Sequence, residues 1–209
     1  MVTPVLTNSV HSTSQMFPYR LPAWKRGMDL IIGGWLTVLF SPILLACWAA
    51  IRLTSPGPAW HWSQRVGKDN RLFDMPKFRT MRLETPQVAT HLLSQPECYV
   101  TRVGALLRKT SLDELPQLIT VLRGDLTLVG PRPALFNQDD LVALRTRDGV
   151  YRMVPGITGW AQVNGRDALE IPVKVTYDAE YMSKQSLTLD LKILFLTLWR
   201  VLKAEGVKH

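Results

Sequence analysis

The chain has 209 residues, room for one domain with appendages, and 46% of them are apolar, enough for a core at that size. Its formal net charge of +8 and pI near 9.8 call for an anionic partner: nucleic acid, an acidic membrane surface or phosphorylated substrates. Seven tryptophans and a mean hydropathy of +0.03 favour the membrane; no base-stacking aromatic platform, RNA-binding motif or helix-turn-helix signature occurs, which argues against nucleic acid, and scattered Cys47, Cys98, His11, His61, His91 and His209 lack zinc-ligand spacing.

Residues 1–23 are rich in Ser, Thr and Pro and read as a loose leader, without the apolar core or cleavage site of a signal peptide. An apolar segment then runs from about Met28 to Leu53, long enough to span a bilayer. Arg20, Lys25 and Arg26 precede it and Arg52, Arg65 and Lys68 follow it, so both flanks carry the basic excess of a cytoplasmic side. Ser41-Pro42 lies near its middle, where proline removes a backbone donor and serine re-bonds a freed carbonyl. Two topologies fit these residues: a kinked transmembrane helix, or a helix that turns at Ser41-Pro42 and returns both basic ends to the cytosol.

Beyond Ser55-Pro56-Gly57-Pro58 the pattern becomes mixed α and β. Trp60 to Val66 and Leu72 to Phe78 read as strands of a hairpin about Lys68-Asp69-Asn70. Helices are expected over Tyr99 to Lys109, Glu114 to Leu122, Asp139 to Arg147, Val173 to Ser183 and Leu189 to Ala204. The last is apolar around most of its circumference, with Lys192, Arg200 and Lys203 interspersed, which suits either a membrane-interface helix or a buried core helix.

The most informative stretch is Arg108-Lys109-Thr110-Ser111-Leu112-Asp113-Glu114-Leu115-Pro116-Gln117. Ser111 to Glu114 fits a capping box at a helix start. Pro116 is awkward if Ser111 is the N-cap and harmless if Asp113 is. Either register leaves Asp113 and Glu114 at the positive end of a helix, where phosphate also binds well. Cations surround the pair in sequence: Lys77, Arg79, Arg102, Arg108, Lys109, Arg123, Arg132 and Arg166. Gly130-Pro131-Arg132-Pro133 and the loop from Pro155 to Arg166 are stiff segments presenting arginine, the side chain that matches phosphate bidentately. No P-loop or dinucleotide-binding glycine fingerprint occurs. What remains is a carboxylate nucleophile acting on phosphorus, with Mg²⁺ offsetting the charge of both partners.

With those residues in view, the chain resembles the bacterial sugar transferases, monotopic phosphoglycosyl transferases. The resemblance runs from Trp24 to about Lys203 through Lys25-Arg26-Gly27-Met28-Asp29, Ser41-Pro42, Gln64 to Lys68, Lys77-Phe78-Arg79-Thr80-Met81, Leu107 to Gln117, Gly130 to Pro133 and Pro155 to Trp160, in the family's order. It implies an α+β, mainly helical fold: a re-entrant membrane helix-break-helix (24–53) and a small cytosolic α/β catalytic domain (54–209) with amphipathic interface helices, on the cytoplasmic face of a bacterial inner membrane. The chain is expected to be a minimal form, without the extra helices and soluble domain of larger members.

The resemblance also implies roles. Asp113 attacks the β-phosphate of a UDP-sugar, UMP leaves, and polyprenyl (undecaprenyl) phosphate resolves the phosphosugar ester. Glu114, with Asp113, holds Mg²⁺, and Lys77, Arg79, Arg108, Arg132 and Arg166 contact phosphate or uridine. Ser41-Pro42 breaks the membrane helix, and Lys25, Arg26 and Asp29 anchor its entrance at the lipid headgroups. Downstream glycosyltransferases are expected partners. The sequence departs from the family at Ala134, where Leu is usual, and after Asn164-Gly165-Arg166, where a common Trp is absent. Both positions bear on which sugar is chosen, not on the reaction. A catalytically idle membrane scaffold that recruits glycosyltransferases is the competing reading, and the intact Asp113-Glu114 pair counts against it.

Overall fold

The computed structural model describes residues 19, 21–85, 96–165 and 168–202. Most of the expected leader, Arg166, and the end of the expected last helix at Lys203 and Ala204 lie outside the described residues. The architecture is α+β and mainly helical.

Helix α1 (Ala23–Thr54) is one helix of 32 residues, about 48 Å long at 1.5 Å per residue. It continues through Pro42, with the Ser41 hydroxyl donating to the Val38 carbonyl at 2.7 Å. Among the described residues α1 alone is long and apolar enough to cross a membrane. Its buried residues fall at its two ends, Lys25, Met28, Asp29 and Gly33 near the start, Cys47 and Ile51 near the finish. Between them Trp35, Val38, Leu39, Ile43 and Leu45 are exposed, an apolar surface with no protein against it.

The start of α1 is fastened by polar groups. Lys25 Nζ donates to Asp190 Oδ2 at 2.5 Å and to the Tyr181 hydroxyl at 3.1 Å, and Tyr181 donates to Asp190 Oδ1 at 2.6 Å. Asp29 accepts from Thr127 Oγ1 and from the Leu128 amide. Arg26 donates to the Val121 and Leu122 carbonyls. The expected headgroup anchors are therefore corrected: Lys25 and Asp29 are 1% and 0% exposed, and all three spend their charge inside the domain. A charge that leaves water must be paired, and here the partners lie beyond α1, at Asp190, Val121, Leu122, Thr127 and Leu128, so these residues dock the helix to the rest of the fold instead of reaching lipid.

The finish of α1 is held by packing. Cys47 and Ile51 bury against Ala59, Phe78 and Leu107, and Trp60 stacks on Phe78 with ring centroids 5.0 Å apart. Strand β1 (Trp60–Val66) pairs antiparallel with β2 (Leu72–Phe78), in register from Trp60 opposite Phe78 to Val66 opposite Leu72. Asp69 and Asn70 take the positive φ that the turn between them requires. Short β4 (Ala134–Leu135) adds to the other edge of β1. A second, parallel pair joins β3 (Thr127–Val129) to β5 (Gly156–Thr158) across a crossover that carries helix α4 (Asp139–Arg147).

The remaining helices are α2 (Arg102–Thr110), α3 (Gln117–Arg123), α5 (Trp160–Asn164), α6 (Ile171–Lys184) and α7 (Leu187–Leu202). The main core lies where α3, β3, α6 and α7 meet, around Val121, Val129, Tyr181 and Ile193. The hairpin strands and α4 form where the sequence pattern placed them, whereas β3, β4, β5 and α5 had no counterpart in it. Helix α7 combines both readings of its sequence: Asp190 and Ile193 are buried, while Leu191, Phe195, Leu198 and Trp199 are exposed.

Removing Lys25 leaves the buried Asp190 carboxyl without its cation. Lys25→Ala is expected to cost about 3–5 kcal/mol of unfolding free energy, measured by chemical denaturation in detergent micelles, and Lys25→Met with Asp190→Leu to recover most of it.

Candidate active site

Helix α2 ends where Ser111 enters the left-handed region at φ 56°, its amide closing on the Arg108 and Leu107 carbonyls. Leu112–Glu114 form a single 3₁₀ turn, and Pro116 is the N-cap of α3. The capping box is therefore not formed. Ser111 ends α2 and leads into the 3₁₀ turn, its hydroxyl makes no cap bond, and the Glu114 carboxylate is taken by cations. Pro116 stands where its missing N–H costs nothing. Asp113 and Glu114 precede α3 by one turn.

The two carboxylates sit in contrasting environments. Lys77 Nζ donates to Glu114 Oε1 at 2.8 Å and Arg132 Nη2 donates to the same oxygen at 3.3 Å. Burial alone would raise the Glu114 pKa, but the charges and hydrogen bonds of Arg132 and Lys77 outweigh it and bring it from 4.5 down to about 2. Asp113 is shifted the other way. Its partial burial, then the neighbouring Glu114 charge, raise its pKa against the opposing pull of Lys77, Arg108 and its own backbone amide. One carboxylate is compensated by two cations; the other has no side-chain hydrogen-bond donor among the described residues.

Separate elements bring the cations in. Lys77 comes from β2. Arg108, on the last turn of α2, is oriented by its Nε donating to Thr80 Oγ1 at 2.9 Å. That contact needs Gly104, since a Cβ there would lie 2.0 Å from the Thr80 carbonyl oxygen. Arg132 rides on the stiff Gly130–Pro133 loop. The Arg132 carbonyl accepts from Arg145 at 2.7 Å, and Arg145 is itself fixed by its buried ion pair with Asp178. The Gly156 amide donates to the Pro131 carbonyl at 2.9 Å, and the Gly130 amide to that of Thr158 at 2.8 Å. The two arginine-bearing loops read separately from the sequence thus brace one another.

One expectation changes and one residue is added. Arg79 is 7% exposed and does not join the cluster: its guanidinium donates to the Pro56 carbonyl, the Ser55 carbonyl and the Ser55 hydroxyl. It clamps the negative end of α1, and Gly57, at φ +96°, leaves the space it needs. Arg102, Lys109 and Arg123 are exposed to solvent. The addition is Arg65 on β1, which donates to Ser63 Oγ and to the Pro133 carbonyl. Burial, reinforced by the nearby Arg132 charge and partly opposed by Glu114, lowers its pKa to about 10. Strand alternation was the available signal, because Arg65 shares a sheet face with Lys77.

No cluster of three or more His, Cys, Asp or Glu occurs among the described residues, so a full protein cage for a metal is absent there. Both cations bind Glu114 through Oε1, which leaves Oε2 and the Asp113 carboxylate as donors. Two carboxylates completed by substrate phosphates are a sufficient set for Mg²⁺.

Comparison with known proteins settles the kinship. The profile of the family "Bacterial sugar transferase" matches residues 20–204. The chain belongs to the bacterial sugar transferase family. It is 40% identical over 189 residues to the UDP-N-acetylgalactosamine-undecaprenyl-phosphate N-acetylgalactosaminephosphotransferase of Aeromonas hydrophila, covering 88% of this chain and 45% of that protein. It is 40% identical over 191 residues to the UDP-glucose:undecaprenyl-phosphate glucose-1-phosphate transferase of Caulobacter vibrioides, covering 87% and 71%. An uncharacterized sugar transferase of Bacillus subtilis is 42% identical over 187 residues, covering 88% and 90%. The chain thus spans under half the length of the Aeromonas relative.

Glu114 is held below its ordinary pKa, so its pairing stabilises the fold fully above about pH 4.5 and is lost as pH falls through about 2. The stability gap between the unmodified chain and Glu114→Gln, measured by denaturant titration at a series of pH values, is expected to be widest above pH 4.5 and to shrink toward pH 2.

Proposed function

We propose that this chain transfers a sugar 1-phosphate from a UDP-sugar to a polyprenyl phosphate such as undecaprenyl phosphate, through a covalent intermediate on Asp113. The observation that carries the reading is the split between the two carboxylates: Glu114 neutralised by Lys77 and Arg132, Asp113 bare beside them. A nucleophilic carboxylate must be ionised yet unencumbered, and must face enough positive charge for a diphosphate to approach it. The names of the Aeromonas and Caulobacter relatives, both undecaprenyl-phosphate sugar phosphate transferases, agree with that chemistry.

In the first step an Asp113 carboxylate oxygen attacks the β-phosphorus of the donor. The bond from that phosphorus to the bridging oxygen breaks, and UMP departs with the electron pair. In the second step an oxygen of the lipid phosphate attacks the same phosphorus, and the Asp113 carboxylate is released. Lys77, Arg108 and Arg132 bear on the phosphate oxygens, with Arg65 behind Arg132. Arg108 also lowers the Asp113 pKa, keeping more of it ionised. Mg²⁺ would be held by Asp113, Glu114 and the substrate phosphates, and would supply further charge neutralisation at the reacting phosphorus.

The membrane reading has its own support. Both ends of α1 pack against the same catalytic domain, through Lys25 and Asp29 at one end and Cys47 and Ile51 at the other, and the apolar middle is bare. A span would set its two ends on opposite sides of roughly 30 Å of hydrocarbon, which two ends docked to one polar domain cannot satisfy. A re-entrant α1 dipping its middle into the cytoplasmic leaflet of a bacterial inner membrane, with bending at Ser41-Pro42 and the exposed face of α7 at the interface, satisfies both. That places lipid phosphate within reach of a soluble nucleotide sugar. Downstream glycosyltransferases would take the product.

Asp113→Asn is expected to reduce UMP release from UDP-sugar and polyprenyl phosphate by more than about a thousandfold while membrane association persists; turnover near that of the unmodified chain would mean that the nucleophile lies elsewhere. The acid limb of kcat/KM is expected to move to higher pH in Arg108→Ala, which removes a charge favouring ionised Asp113, and to lower pH in Glu114→Gln, which removes a repelling one. For topology, Gln15→Cys and Gln64→Cys, each in a Cys47→Ser, Cys98→Ser background, are both expected to resist a thiol reagent confined to the periplasm. Labelling of one but not the other would establish a span.

A further inference from the structure

Strand β1 carries one group beside the cation that binds Glu114 that the mechanism above does not use. His61 pairs directly with Lys77 across the β1–β2 ladder, so the two side chains leave the same face of the sheet with Cβ atoms about 4.5–5.5 Å apart. Ser63 and Arg65 follow His61 on that face at the strand period of two. Every other polar side chain of this row is already engaged. Lys77 holds Glu114, Ser63 accepts from Arg65, and Arg65 reaches the Pro133 carbonyl. His61 is exposed and has no hydrogen-bond partner among the described residues. Its imidazole stands at the open end of the row, directly across the ladder from the cation that binds Glu114.

The electrostatic surroundings narrow its use. Loss of hydration, then the charges of Lys77 and Arg65, push the His61 pKa below its ordinary value, so the ring is neutral at pH 7. A neutral imidazole donates through one nitrogen and accepts through the other. Phosphate oxygens only accept, and Lys77, Arg108 and Arg132 already provide cationic donors for them. A sugar hydroxyl or acetamido group both donates and accepts, which is the complement of the His61 ring. We infer that His61 reads the sugar of the donor, hydrogen-bonding a hydroxyl or acetamido group while the cations beside it hold the diphosphate. The inference rests on the transferase reading, and it adds a residue on which the choice of sugar depends.

The test uses the full chain in detergent micelles with ¹³Cε1-labelled histidine, the His61 signal being identified by its loss in His61→Gln. UDP-glucose and UDP-N-acetylgalactosamine are titrated in parallel with UDP. A shift of the His61 signal by at least one UDP-sugar well beyond that caused by UDP is the expected result; equal shifts by UDP and both sugars, or none, would overturn the inference. In the turnover assay His61→Ala is expected to change the ratio of kcat/KM between the two UDP-sugars by tenfold or more, and an equal loss for both would count against it. Failure of the transferase reading would look different: no UMP release by the unmodified chain with either sugar, with the titration still deciding whether His61 meets the sugar.

Discussion

Everything at the site depends on how one oxygen of Glu114 is occupied. Lys77 from β2 and Arg132 from the Gly130–Pro133 loop converge on Oε1, so a single carboxylate ties three chain segments together. Its depressed pKa is the electrostatic mark of that arrangement. Because Glu114 takes the cations, Asp113 next to it takes none directly and keeps a raised pKa. Adjacent carboxylates usually repel one another without distinction. Here the fold divides them into one carboxylate compensated by two cations and one left bare, the division that the proposed nucleophilic attack on phosphorus requires.

A second layer of buried polar contacts fixes where this pair sits relative to the apolar helix. Lys25, Arg26 and Asp29 bind α1 to α7, α3 and β3, and Arg79 binds the turn that follows it. Such contacts are directional, as apolar packing is not, and they set both the depth and the rotation of α1 against the domain. Arg145, held by Asp178, plays a comparable part for Arg132: it touches the loop backbone, so its effect on the site is one of position.

Much of this was legible in the sequence, for physical reasons that differ by element. The β1–β2 hairpin was readable because its turn needs residues that tolerate positive φ and β1 is bounded by Pro58 and Gly67; α4 was readable from its acidic start and basic end. The strands β3, β4 and β5 have two or three residues each, too few for a period to register, and they exist because distant segments meet. The carboxylate pair was visible, but its local role was not. Ser111 to Glu114 satisfies the capping-box pattern letter for letter, and only the tertiary pull of Lys77 and Arg132 on Glu114 takes the carboxylate away from the backbone. Composition cannot distinguish a cation that binds phosphate from one that binds a carbonyl, which is why Arg79, Lys25 and Arg26 read as ligands and proved to be internal fastenings, while Arg65, read as a flanking charge, lies beside the site.

If Asp113 is left bare in order to carry the phosphosugar, the ester forms on it before any lipid acceptor arrives. Intact-protein mass spectrometry after incubation with a UDP-sugar and no lipid acceptor tests it most directly. The expected result is a mass increase of one sugar phosphate, located on Asp113 by peptide fragmentation, with one equivalent of UMP released. UMP that forms only when polyprenyl phosphate is present, with no adduct on the protein, would contradict it.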